Sequence, residues 1–348
     1  MRILVAYPGH AIATIDVAIG YEAALRELGY DVAVYNYHDS LVFYQHAMRY
    51  WEAINPSFSY SEEDWLRLAS EMLVLEVVRT VPDVVLMFCG FATHKSAFEL
   101  IGRNMRIPIA LVLTESPYLD ENQRVLLEQG YVALAFCNEK NSVGYLGENR
   151  SGVPVVYLPH SYNPERHHPA PAEDGYTSDV FFCGTMYQER QDIIAQIDRG
   201  GIDLRVIGPR LGDNQVEGGI DNEELTKWYH GTKVGLNIHR TSCGVFDDRL
   251  LHIPEGIAYS LGPRAYELAG CGAFQLCDDS RGELREVFGD SVPAYNTAGE
   301  LNDLIKKYLA DDMARRELAR LQHEAVEPCT FRARAEAILL PAITAEVL

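Results

Sequence analysis

SLGPRAYELAGCGAFQLCDD, residues 260–279, reads as loop, short helix, tight turn and buried strand. Gly262-Pro263 punctuates the loop, and proline suits the first helical position because its missing N–H has no helical partner there. Residues 264–269 continue the helix, and Gly270-Cys271-Gly272 ends it and turns the chain. Residues 273–277 form a short apolar run of the kind a fully buried strand shows. A helix start offers unpaired N–H groups and partial positive charge, which seats a phosphate. Arg264 adds a two-pronged phosphate donor. Glu267, one turn on, is placed to accept hydrogen bonds from two hydroxyls of a ribose. The plainer alternative is an ordinary αβ unit in which Arg264 and Glu267 pair with each other.

Outward from this stretch the same alternation fills the chain. Residues 2–7 (RILVAY) read as a strand, 15–28 as a helix closed by Gly29, and 31–35 (DVAVY) as the next strand. This βαβ opening predicts a parallel, doubly wound sheet. No G-x-G-x-x-G follows the first strand, so the dinucleotide fingerprint is absent. Residues 36–60 are dense in aromatics, including Phe43, Tyr44, Tyr50 and Trp51, and read either as a helix with core anchors or as an acceptor-binding wall. A helix over 62–80 starts at the signal Ser61–Asp64. Strands follow at 83–89, 107–113, 131–137 and 153–158, with helices at 96–104 and 122–129. Ligands of open α/β sheets bind beyond the carboxyl ends of strands, where His10, His94, Glu115, Asn138 and His160 fall.

Residues 159–175 (PHSYNPERHHPAPAEDG) are rich in proline and polar residues and read as a linker. His167-His168 within it reads as a solvated pair, not a metal pair. A second series starts with the strand 178–183 (SDVFFC), the turn Gly184-Thr185 and a helix over 188–198 that contains Arg190. Strands at 203–207 and 233–238 follow, the second ending in His239-Arg240, and helices at 300–309, 313–322 and 332–347 close the chain. The expected fold is α/β, two Rossmann-like domains facing a cleft. Residues 1–158 form the first, 176–325 the second, and 326–348 return to pack on the first.

Composition narrows the class. The chain has 348 residues, long for one core, with 47% hydrophobic and 23% charged residues, which are globular values. No apolar run reaches the roughly 18 residues of a membrane span. The first residues lack a basic flank and apolar signal core. Seven scattered cysteines without a C-x-x-C pair fit reduced thiols. The expectation is therefore a cytoplasmic protein. A formal charge of −20 argues against non-specific binding of nucleic acid or anionic membrane, without excluding a local basic groove.

Residues 179–190 (DVFFCGTMYQER), 234–240 (VGLNIHR) and 264–272 (RAYELAGCG) together resemble the CgeB-like, spore-maturation-type glycosyltransferases, relatives of the group-1 transferases. The stretches TESPY (114–118) and LPHSYNP (158–164) are similar to that family's first half. The resemblance implies the two-domain GT-B fold and a nucleotide-sugar held by the second domain. It assigns the ribose to Glu267 and the diphosphate to Arg264, the helix start and Gly184-Thr185. It adds Arg190 as a helper there. His239-Arg240, at a strand end facing the cleft, reads as a phosphate or sugar contact or else as a surface pair, and Tyr266 is a further donor-contact candidate. A uridine diphosphate sugar is the default co-substrate, with guanosine and adenosine donors open, and no other cofactor is expected. Many retaining relatives carry a second glutamate eight positions earlier, where this chain has Tyr259.

Breaking a nucleotide-sugar bond leaves negative charge on the diphosphate and oxocarbenium character on the sugar, as in glycoside hydrolysis. Preorganised N–H groups and arginines stabilise that leaving group, so Arg264 is a catalytic candidate. A divalent ion would do the same work, but no D-x-D pair stands in a strand-end loop. Asp247-Asp248 and Asp278-Asp279 read as solvated, and no metal is expected. A base for an inverting reaction would be His94, Glu115, His10 or Asp120; each reads equally as a loop-end cap. The acceptor, whether protein, glycan, metabolite or modified DNA base, is open. Two other readings stand beside transfer: a nucleotide-sugar 2-epimerase, and a non-catalytic nucleotide- or sugar-binding protein.

Overall fold

The computed structural model describes residues 1–9, 12–208, 220–241 and 258–347. His10, Pro209-Arg210, Cys243 and Asp247-Asp248 lie outside the described residues. The chain divides into two units, Met1–Pro159 with Phe331–Leu348, and His160–Thr330.

The first unit runs β1 (Arg2–Ala6), α1 (Ile12–Glu27), β2 (Asp31–Tyr35), α2 (Tyr37–Ile54), α3 (Glu62–Thr80), β3 (Val84–Phe88) and α4 (Lys95–Phe98), which continues as a π-helix over Glu99–Asn104. Then come β4 (Ile109–Leu113), α5 (Asp120–Glu128), β5 (Leu134–Cys137), α6 (Ser142–Gly147) and β6 (Val155–Tyr157). The six strands form one parallel sheet in the order β2-β1-β3-β4-β5-β6. β3 and β4 are buried along their whole length, as strands covered on both faces must be. Alternate residues feed two cores. Leu4, Val85, Met87 and Leu111 meet α2, α3 and α5; Ile3, Val5, Leu86 and Phe136 meet α1 and the helical run that begins at Phe331. Phe331 packs edge-on against Tyr21, with ring centroids 5.1 Å apart. A Cβ on Gly20 would come within 2.3 Å of that ring. α3 starts as its signal predicts, with the Ser61 N–H and hydroxyl both donating to Asp64.

The second unit runs β7 (Ser178–Cys183), α7 (Gln188–Ala195), β8 (Leu204–Ile207), α8 (Asn222–Gly231), β9 (Thr232–Asn237), α9 (Pro263–Gly270), β10 (Gln275–Asp278), α10 (Glu283–Phe288), β11 (Ala294–Tyr295), α11 (Ala298–Ala310) and α12 (Asp312–Val326). Its sheet is parallel in the order β11-β10-β9-β7-β8. The α/β fold of two parallel sheets is the one the sequence predicts.

Three local expectations change. In α2 three of the aromatics are not core anchors: Phe43, Tyr50 and Trp51 are 65%, 63% and 55% exposed, while Tyr37 is buried and Tyr44 packs against the core. The helix buries only Tyr37 and Leu41, so its aromatic side is left to solvent. Residues 160–175 pack onto the second unit. Tyr162 joins Ala265 and Tyr266 in one apolar cluster, and Pro169 covers Gly272. His167 is consequently buried, not solvated, and burial pushes its pKa down to about 3.

Candidate donor site at the strand switch point

In the second sheet β8 leaves to one side of β7 while β9 and β10 lie on the other. Such a reversal of strand order opens a crevice at the carboxyl ends of β7 and β9. Gly184 and Gly208 follow β7 and β8 with φ of +152° and +148°, a region open chiefly to glycine. Their backbones nearly touch: a Cβ on Gly208 would lie 2.1 Å from the Gly184 carbonyl oxygen. A Cβ on Gly184 would lie 2.3 Å from Arg264 Nη2 and 3.5 Å from Arg190 Nη1. The missing side chain is thus the space the Arg264 guanidinium uses, with Arg190 in contact beside it.

Arg190 is buried on α7. Its Nε donates to the Ile238 carbonyl at 2.8 Å and its Nη1 to the Thr185 carbonyl at 2.9 Å. It ties the loop after β7 to the end of β9. Thr185 therefore sits in a fixed turn. Arg264 stands over the Phe182 ring at 4.8 Å, and Arg190 over the same ring at 5.6 Å. Cys183 reports how close these charges lie. Burial raises its thiol pKa, Arg264 and Arg190 pull it down, and Glu267 pushes it up. Arg264 and Glu267 of α9 and Arg190 of α7 therefore converge on the end of β7. Arg240 extends the group, donating from Nη1 to the Tyr187 hydroxyl at 2.8 Å.

α9 starts with Pro263 at its first position and Gly262 as its cap, and no side chain caps it. Glu283 holds the preceding loop: its carboxylate accepts the Leu261 N–H at 2.6 Å, and its own N–H donates to the Tyr259 carbonyl at 3.1 Å. Tyr266 lies on the helix's inner side, fully buried among Tyr162, Leu261 and Leu284. It is a core residue and not the open donor contact expected of it, because α9 turns that side toward its apolar packing.

His239 and Asp278 are the unforeseen pair. Asp278 is not solvated: its Oδ2 accepts the His239 backbone N–H at 2.7 Å and lies 3.0 Å from His239 Nδ1. Burial opposes its ionised form, but these bonds and Ser280 prevail and hold its pKa well below the usual carboxylate range. Asp279 does stay open, 3.6 Å from Arg285. Among the described residues one group, His239, Cys277 and Asp278, has ligand atoms within 4.8 Å of one another. Its donor set suits a metal poorly. Nδ1 and Oδ2 already bond to each other, and burial raises the Cys277 thiol well above its ordinary value.

In the first unit the base candidates separate. His94 caps α4: its Nδ1 accepts the Ser96 N–H at 3.3 Å and lies 2.7 Å from the Ser96 hydroxyl, while Nε2 faces Glu63 at 3.5 Å. It therefore lacks the free nitrogen a base needs. Asp120 is spent on α6, accepting the Ser142 hydroxyl at 2.6 Å. His160, the first residue of the second unit, is half-buried, and loss of hydration pushes its pKa down to about 4. Glu115 stands at the end of β4, close enough to Cys89 to raise that thiol further after burial has done so. Its turn is fixed by Gln123, whose Oε1 accepts the Glu115 N–H at 3.1 Å.

Residues 189–339 match the family model described as "Glycosyl transferase-like". No protein of curated function matches the chain. Sucrose-phosphate synthase from Thermosynechococcus elongatus superposes with a TM-score of 0.60 at 14% identity, covering 99% of this chain and 100% of its own. Anabaena HepE, solved with UDP and glucose, gives 0.63 at 12% identity over 99% and 100%. The β-glucosyltransferase of T4 phage gives 0.59 at 13% over all of both chains. The fold is that of GT-B glycosyltransferases. The matched domain defines the class, an enzyme that transfers glycosyl groups. Among the described residues no helix is long and apolar enough to cross a membrane.

Proposed function

We propose that the protein transfers a sugar from a nucleotide-sugar, with a uridine diphosphate sugar as the first candidate, to an acceptor without an essential metal ion, in the manner of CgeB-like transferases. The observation that carries this reading is the convergence of Arg264, Arg190, Gly184 and Glu267 at the carboxyl end of β7. The Gly184 turn lets the Arg264 guanidinium reach the end of β7, where it meets a diphosphate, and the uncapped start of α9 supplies N–H groups to it. Arg264 offsets the charge that grows on the leaving diphosphate, where preorganised donors act most strongly. Arg190 positions the loop that carries Thr185. Glu267 takes the ribose hydroxyls, and Arg240 with Tyr187 flanks the donor. Proteins of the same fold were solved with such ligands: HepE with UDP and glucose, and a DNA-modifying β-glucosyltransferase with uridine diphosphoglucose. Glu115 is the best placed of the base candidates for an acceptor hydroxyl.

The test is turnover of UDP-, ADP- and GDP-glucose, with and without glycan, protein and small-alcohol acceptors, in excess chelator. Nucleoside diphosphate released only with an acceptor supports transfer. Release without any acceptor, with loss of the sugar's 2-hydrogen, points to the epimerase. Activity abolished by chelator and restored by magnesium or manganese sinks metal independence.

A further inference from the structure

His239 holds an unspent nitrogen. The residue is 9% exposed, and its Nε2 has no hydrogen-bond partner among the described residues. A carboxylate only accepts, and Asp278 Oδ2 takes two bonds from His239, so Nδ1 carries hydrogen and the neutral ring keeps its lone pair on Nε2. Leaving such a group buried and unpaired is costly, because it gives up its bond to water and gains none in return. Nearby, the Asn237 side-chain nitrogen is also buried without a partner. Asn237 pairs in register with Cys277, whose side chain packs with Ala265 of α9, so these groups share the face that α9 covers. Arg281 closes the other side, donating to the Arg240 carbonyl at 2.9 Å.

We propose that His239 and Asp278 form a proton-linked contact for the donor diphosphate: binding draws one proton from solvent onto His239 Nε2, which then donates to a diphosphate oxygen while Asp278 remains the buried counter-charge. This rests on the nucleotide-sugar reading above. The groups facing the ring are Asp278 and Cys277 of β10, Arg281 beyond it and Arg190 of α7. Burial, then Arg281 and Arg190, disfavour the charged ring, and together they outweigh Asp278, so the free protein keeps His239 neutral at neutral pH. A diphosphate brings two negative charges and reverses that balance. The folded, unliganded pKa is lowered and the liganded one raised, so affinity strengthens as pH falls between them.

The experiment is calorimetric titration of the wild-type chain with UDP-, ADP- and GDP-glucose at about pH 7.5, in phosphate and in Tris. These sugar diphosphates are diesters and exchange no proton themselves in that range. The expected result is a buffer-dependent heat equal to uptake of up to one proton, growing as pH falls toward the liganded pKa, and absent in His239→Gln. Asp278→Asn is expected to lose the uptake and to weaken binding about tenfold, the size of a 1.4 kcal/mol loss. Donor binding with a buffer-independent heat in the wild type overturns this inference and leaves the donor site standing. Uptake that persists in His239→Gln overturns it as well. No binding of any of the three sugars removes both readings.

Discussion

Arg264 and Glu267 sit three residues apart on α9 and are asked to do different things. Arg264 faces charge that grows as the bond breaks, so its effect belongs to the transition state. Arg264→Ala is expected to cut turnover about 100-fold or more, by comparison with removing one oxyanion donor, and to weaken donor binding less. Lysine rescues only part, because an ammonium lacks the planar fork. Full turnover of Arg264→Ala at saturating donor removes the arginine from the mechanism. Glu267 binds donor before and during reaction. Glu267→Ala is expected to weaken nucleotide binding by about 1.5–3 kcal/mol, the range for a hydrogen bond to a charged group. Calorimetry on a folded variant checks this, and unchanged affinity takes Glu267 out of the site. These two residues and Gly184 are legible in sequence because loop, proline, arginine and glycine chemistry is local. The fate of Arg190 is not. Its partners are backbone carbonyls at positions 185 and 238, and only the β7–β9 pairing brings the second within reach. Asp278 was misread for the same reason: its partner lies 39 residues away, across the β9–β10 register. Tyr266 shows a third limit, since the sequence marks the helix but not which side faces the core.

At the scale of elements, the turns after β7 and β8 approach each other closely in the second unit. Gly208→Ala must move the Gly184 carbonyl, and it also places a side chain at φ +148°. Backbone strain of this kind costs about 1–3 kcal/mol. The urea midpoint of Gly208→Ala is expected to fall accordingly, with donor binding falling beside it; an unchanged midpoint contradicts the packing described. Elements with strong period or caps are readable from sequence alone. α3 and β7 have the bounds their patterns predict, Glu62–Thr80 and Ser178–Cys183. α6, α10 and β11 are not readable, being six, six and two residues long. They are too short to show a period, and tertiary pairing makes them. α2 is readable as a helix but not in its facing. Its apolar residues outnumber those its packing with α3 buries, which leaves Phe43, Tyr50 and Trp51 exposed.

Across the whole molecule the charge of −20 and the local chemistry of the donor site point in different directions. Arg190, Arg240, Arg264 and Arg281 gather at one strand-end crevice of an otherwise acidic chain, which suits a small anionic ligand. Stability should carry a second signature. Loss of hydration pushes the His160 and His167 pKa values down from an ordinary 6.5 to about 4 and about 3 in the fold, because it disfavours their charged forms. The unfolded chain therefore binds more protons below that ordinary value, and stability rises with pH there. Both contributions are complete above about pH 6.5 and are lost as pH falls toward the folded values, at about 1.4 kcal/mol per histidine per pH unit. Urea midpoints at about pH 7.5 and 5 are expected to differ, with the difference reduced in His160→Gln; midpoints equal at the two pH values count against the neutral rings.

The central claim is that a nucleotide-sugar binds the second unit where its strand order reverses. Amide hydrogen exchange, with and without a saturating nucleotide-sugar and with chelator present, tests it most directly. The account predicts protection in residues 183–190, 237–241 and 261–268. Saturated binding that leaves these three segments unprotected, with protection elsewhere in the chain, contradicts it.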